Sequence, residues 1–214
     1  MHDLLKSTSP GMRFLTAIFN LIVANILFLI TSIPIVTIGT ALPALYKITF
    51  EIVDGEEVFL LSDFYKTLFK NIKRGTLLWL PLLLLTVIMS ASVFLIWAGL
   101  EGTAFWMMIP PMLFLFLGFC LGSYAFPLMA LCDDPLKVIV KNAFLLALGH
   151  LPTTIFIFVL HAAVFGLLIV FDVGSVVLLS LMLFMGCSVV ALICSFFLRR
   201  IFLPYIPKQE IEED

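Results

Sequence analysis

An all-α, polytopic transmembrane bundle of about six spans, with one amphipathic interfacial helix, is the fold class that this sequence predicts. Three observations predict it. Hydrophobic residues make up 63% of the 214 residues and charged residues only 12%, against about half and a quarter in soluble domains. No soluble fold of this size hides so much apolar surface, so lipid must cover part of it. The apolar residues also gather in runs of about 20 or more, the length that crosses a bilayer as a helix. Finally, lysine and arginine concentrate in a few links between the runs, the asymmetry that orients membrane proteins. The whole chain, 1–214, reads as a single integral membrane domain.

The first run, FLTAIFNLIVANILFLITSI, gives a span at 14–33. It is longer than the roughly 7–15 apolar residues of a signal peptide, and no A-x-A site follows, so it reads as an uncleaved span. Thr16, Asn20 and Thr31 form a polar stripe on it, and Asn25 with Ser32 a second. Such stripes commonly join helices by hydrogen bonds.

The next stretch, SIPIVTIGTALPALY (32–46), decides the span count. With five spans, residues 34–75 are all cytoplasmic, and Lys6 and Arg13 fall on the wrong face. With six, the chain turns at Pro34 and Gly39 and re-enters over 35–53. Proline cannot donate a backbone hydrogen bond, and glycine accepts turn dihedrals. Every Lys and Arg is then cytoplasmic except Lys47, whose stem can snorkel and whose neighbour one turn on, Glu51, can pair with it. The charge distribution favours six spans with both termini cytoplasmic, and five spans is the alternative. The stretch itself reads as an outer-face turn. A rival reading has its freed backbone and Thr37 line a polar cavity, as broken helices do in transporters.

Residues 54–74 carry the amphipathic helix, at about 56–74. Asp54 and Glu57 have the spacing of a capping pair. Leu61, Phe64, Tyr65, Leu68, Phe69 and Ile72 share one face, and Asp63, Lys66, Lys70, Lys73 and Arg74 the other. Acids at the start and bases at the end suit the helix dipole. The helix reads as an anchor on anionic lipid or as a coupling surface for a cytoplasmic partner.

Four further spans follow at 76–98, 104–131, 143–171 and 174–198, none containing Asp, Glu, Lys or Arg. The short links around Glu101 and Asp172 lack bases and are placed outside. Gly118 and Gly122 form GxxxG, which permits close helix approach within the chain or in a homo-oligomer. Cys120, Cys132, Cys187 and Cys194 form no C-x-x-C pair and read as free thiols. The acidic end QEIEED reads as solvated, and the net charge of −2 gives no argument for nucleic acid.

Catalytic chemistry is not visible. There is no Walker lysine loop, H-E-x-x-H, G-x-S-x-G or acid cluster at metal-ligand spacing, so no cofactor, metal or enzyme activity is expected. His150 and His161 are the ionisable candidates of the later spans. On one ideal helix they would face the same way but stand about 16 Å apart, too far to share a metal. They read as interhelical hydrogen-bonding groups or as proton-relay or ligand contacts. Pro152 between them is a possible kink.

The segments NILFLITSIPIVTIGTALPALYKITFEIVDGEE and FYKTLFKNIKRGTLLWL resemble the YesL family of bacterial membrane proteins, most specifically at Pro34, Thr37, Ile38, Gly39, Ala44, Leu45 and Tyr46, at Phe69–Lys70–Asn71 and around Trp79. A weaker likeness continues in KNAFLLALGHLP. Pro43 departs from the small-residue run common in members. The resemblance implies an integral protein of the bacterial cell membrane with a role in carbohydrate uptake or its regulation, since members are commonly encoded beside sugar ABC transporters and glycan-degrading enzymes. Its implied partners are membrane lipid and a sugar transporter complex. It brings no catalytic residue. Pro34, Thr37, Gly39, Tyr46, His150 and His161 are therefore candidate residues without an assigned role.

Overall fold

The structure, a computed structural model, describes residues 10–99, 105–170, 180 and 182–205. Lys6, the links around Glu101 and Asp172, the opening of the 174–198 run and the acidic end lie outside the described residues. Among the described residues the chain is helical throughout: α1 (Pro10–Thr31), α2 (Ile38–Asp54), α3 (Leu60–Lys70), α4 (Ile72–Ala98), α5 (Ile109–Leu131), α6 (Leu136–Gly149), α7 (Leu151–Val170) and α8 (Cys187–Phe202). Short 3-10 turns lead into α2 and α5, and a π turn over Met182–Gly186 leads into α8.

Five segments are long and apolar enough to cross a membrane: Gly11–Thr31, Ile35–Asp54, Ile72–Ala98, Trp106–Leu131 and Phe184–Phe202. A sixth results if α6 and α7 count as one broken span. Two ends can be told apart. The turn at Pro34 lies at one. The α2–α3 link, the α5–α6 loop and the end of α8 lie at the other, which carries the bases Lys70, Arg74 and Arg199 and is here called the basic end.

The re-entry over 35–53 is helical as expected, and α2 is the hub of the bundle. It touches α1, α3, α4, α5 and α8. Ala41, Ala44, Leu45, Ile48 and Phe50 are buried on it. Small residues along one side let its neighbours approach, and the tightest approach is to α4. A Cβ added to Gly39 would stand 2.3 Å from Trp79 Cβ and 2.5 Å from the Gly75 carbonyl oxygen. One added to Gly75 would stand 2.3 Å from the Gly39 carbonyl oxygen. Gly39 is thus required by a backbone-to-backbone crossing and not by turn dihedrals. Among the described residues the glycine with positive φ is Gly55, which ends α2 in the left-handed conformation.

Polar side chains join the helices. Asn25 of α1 accepts a 3.0 Å hydrogen bond from the Ser188 backbone N–H of α8. Thr49 and Ser195 hydroxyls meet at 2.7 Å between α2 and α8. Tyr124 and Thr154 meet at 2.9 Å between α5 and α7. Each is buried, where an unmade bond would be costly. Gly118 and Gly122 face α4 within the chain: a Cβ on Gly118 would meet Leu85 at 3.4 Å, and one on Gly122 would meet Leu82 at 3.9 Å.

Three expected elements are corrected. The run 143–171 is not one straight helix, because α6 and α7 meet at 95° across His150. Pro152 suits the break: inside a continuous helix its ring would clash with the carbonyl four residues back, whereas in the first turn of α7 its missing N–H costs nothing. The amphipathic helix spans Leu60–Lys70 and not 56–74, since Asn71 interrupts it and Ile72–Arg74 open α4. Its first turn is served by Asp63, which accepts the Phe59 N–H at 2.9 Å. Asp54, expected to cap, instead receives Arg199 Nε at 2.9 Å and ties α2 to α8. The helix that carries the last span runs on past 198 to Phe202, with Arg199 and Arg200 in its final turn.

Candidate functional site at the basic end

The candidates at the turn are occupied by the turn itself. The Thr37 hydroxyl lies between the carbonyls of Thr31 and Pro34, 2.6 Å from the latter. Trp79 Nε1 donates to the Ile35 carbonyl at 2.8 Å, so α4 clamps the turn from its side. Gly39 sits at the helix crossing. Tyr46 is buried, with its ring 6.1 Å from that of Phe50 and its hydroxyl against the Cys194 thiol. Pro34, Thr37, Gly39 and Tyr46 therefore make joints and do not converge on a cavity.

The histidines do not share a face, because the chain bends at His150. His161 is satisfied locally: Nδ1 donates to the Ile157 carbonyl at 2.8 Å, and its ring packs edge-on against Phe119 at 5.3 Å. His150 ends α6. Its backbone carbonyl accepts the Thr154 N–H at 3.0 Å, and its ring turns into a cleft.

At the basic end two polar groups of features meet. The first is a latch. Asn71, fully buried between α3 and α4, donates to the Thr67 carbonyl at 3.0 Å and to the Met129 carbonyl of α5 at 3.3 Å. Its own carbonyl oxygen receives Arg74 at 2.8 Å. Arg74 also donates to the Asp134 backbone carbonyl at 2.9 Å. Lys70 contacts the Asp133 carboxylate at 2.6 Å. The Lys70 hydrogen bond, then the charges of Lys70 and Arg74, hold the Asp133 carboxyl below the usual carboxylate range.

The second is a cleft of about 340 Å³ between the end of α5, α6 and the end of α8. Leu128, Ile139, Leu146 and Phe202 give it an apolar floor, and Cys132, Asp134, Asn142, His150 and Tyr205 line it with polar groups. The side chains of Asp134, Asn142 and His150 make no hydrogen bond or ion pair within the described residues. Burial, then the charges of Asp134 and Asp133, raise the Cys132 thiol above its ordinary pKa. Among the described residues no group of three or more His, Cys, Asp and Glu side chains could hold a metal ion.

Sequence reasoning found His150 but missed its companions, which come from the α5–α6 loop, α6 and the end of α8. It also missed the burial of Glu51. Lys47 Nζ pairs with Glu51 Oε1 at 3.2 Å, as the spacing suggests, but Glu51 is 6% exposed and its Oε2 has no hydrogen-bond partner among the described residues. The signal was present, since Glu51 stands one turn from a lysine inside an apolar run. Which side of α2 faces inward is not a local property.

A family model described as a protein of unknown function, DUF624, matches residues 21–93, from α1 through most of α4. The match is consistent with a YesL-like protein and says nothing of a substrate. No curated protein and no solved structure matches the chain significantly.

Proposed function

We propose that this chain is an accessory or regulatory protein of the bacterial cell membrane that works by contact with a transporter, and that carbohydrate uptake is the process it serves. The observation that supports contact over conduction is how the spanning helices use their polar side chains. Asn25, Thr49, Tyr124, Thr154 and Ser195 are spent on joints between helices, and the turn at Pro34 is closed by Thr37 and Trp79. The basic end, by contrast, presents Phe59, Leu61, Tyr65 and Phe69 outward from α3 beside Lys66 and Lys70, a surface suited to headgroups and to a membrane-bound partner. The carbohydrate element rests on the resemblance to the YesL family alone. In this reading the basic end and both termini are cytoplasmic, in keeping with the positive-inside rule.

Mild crosslinking in native membranes followed by co-purification tests the proposal. Enrichment of a sugar-transporter subunit is expected, and recovery of the protein without any transporter component would defeat it. Impermeant thiol labelling at Ser7→Cys in intact cells tests the orientation, and protection is expected. A second reading, a small transporter, is favoured by the 95° bend beside the cleft. Uptake of a sugar by liposomes holding the purified chain alone would promote it over the first.

A further inference from the structure

We propose that the cleft between α5, α6 and α8 binds a small uncharged polyhydroxyl molecule, either free or as the headgroup of a lipid. Size and shape come first: about 340 Å³ lies at the small end of ligand-sized cavities, and an apolar floor under a few polar groups is their usual construction. Charge then narrows the class. The cleft's lining holds no lysine or arginine, and Asp134 stands in it, so an anion meets that carboxylate and finds no base in the lining to pair with. A cation fares little better, because the Arg74 guanidinium sits 2.9 Å from the Asp134 backbone carbonyl, next to the one acid in the lining.

Hydrogen bonding narrows it further. Asp134 accepts, while the Asn142 amide, the His150 imidazole and the Tyr205 hydroxyl each both donate and accept. None of the first three has a hydrogen-bond or ion-pair partner among the described residues. Hydroxyl groups, each a donor and an acceptor, satisfy such a mixed set, whereas a ligand with only one polarity leaves part of it unpaired. The C–H faces of a compact ring would rest on Leu128, Ile139 and Phe202. The cleft lies beside the loop at the end of α5, where the candidate span Trp106–Leu131 ends, which is why both sources of the hydroxyls are open. Contact with a transporter needs no ligand here, so this site stands or falls separately from the proposed function.

Cys132 lines the cleft and reports its occupancy. The full chain in phosphatidylcholine nanodiscs is treated with N-ethylmaleimide, and modification of the Cys132 peptide is followed by mass spectrometry. Glucose or maltose at ten times its dissociation constant is expected to slow modification about tenfold. Nanodiscs containing monoglucosyl-diacylglycerol, without free sugar, test the lipid source. Glucose-6-phosphate and glucosamine are expected to protect less than glucose. Asn142→Leu, at an exposed position that folding tolerates, should remove the protection. Asp134→Asn should restore protection by glucose-6-phosphate. Failure of every neutral probe, equal protection by the charged analogues, or protection that survives Asn142→Leu would each overturn the proposal. Protection by the glucolipid alone assigns the site to a headgroup, and protection by free sugar to a soluble ligand.

Discussion

The α2–α4 crossing and the α6–α7 bend are built from similar apolar helices and reach opposite results. At the crossing, Gly39 and Gly75 remove every side chain between two backbones, and Trp79 seals the rim by its bond to Ile35. No space remains for a ligand. At the bend, the helix breaks beside Pro152, and a cleft remains between the end of α5, α6 and the end of α8, lined by polar groups without partners among the described residues. The matched stretch, 21–93, contains the closed region and stops short of the open one. Small residues and proline both loosen a helix surface, but only the small residues let another backbone fill the gap. The first region is closed by backbone packing, and the second holds the cleft proposed above as a binding site.

The largest expected effect breaks the closed region. Gly75→Val places side-chain atoms where the Gly39 carbonyl now stands, and backbone cannot rotate away as a side chain can. A loss of more than about 3 kcal/mol is expected, seen as near-complete loss of folded protein in the membrane. Gly118→Ala is the control: its added methyl makes an ordinary 3.4 Å contact with Leu85 and should cost under about 1 kcal/mol. Equal abundance of the two variants would remove the distinction between a required and a tolerated glycine.

An intermediate effect tests the latch that joins the two regions. Asn71→Ala removes the bonds to Met129 and Arg74 from a fully buried position. A cost of about 1–3 kcal/mol is expected in the thermal stability of the detergent-solubilised chain. An unchanged melting temperature would show that α4 and α5 hold their places without it.

The smallest effect sharpens the comparison through pH. The folded pKa of Asp133 is depressed, so its contribution is present above the unfolded value of about 3.9 and fades as pH falls through the folded value. Wild type should therefore lose, below pH 4, the small stability advantage it holds over Asp133→Asn at pH 7. The Asp133 side chain is 66% exposed, and the advantage should stay under about 1 kcal/mol and shrink in high salt. An advantage that grew on acidification would contradict the assigned pairing with Lys70.

Composition and run length were enough to determine the membrane class and the helical architecture; the distribution of bases favoured the re-entry at Pro34, and a one-turn spacing gave the local Lys47–Glu51 pair. Each depends on residues close in sequence: apolar runs set which segments lipid can cover, and a one-turn spacing sets which side chains meet. Asn25 as a link between helices was legible for the same reason, since a polar group in an apolar run needs a partner. The partner itself, Ser188, was not. The tertiary structure decided that Gly39 serves a crossing and not a turn, because only the position of Gly75 reveals the need. It decided that Asp54 binds Arg199 instead of capping α3, and that Glu51 is buried. It turned Pro152 from a possible kink into a 95° break at His150, since a proline permits a bend but does not set its angle. The cleft was the least legible feature, because Asp134, Asn142 and Tyr205 belong to separate elements. Helix formation is encoded residue by residue, whereas the choice of neighbour depends on which surfaces can approach across long stretches of chain.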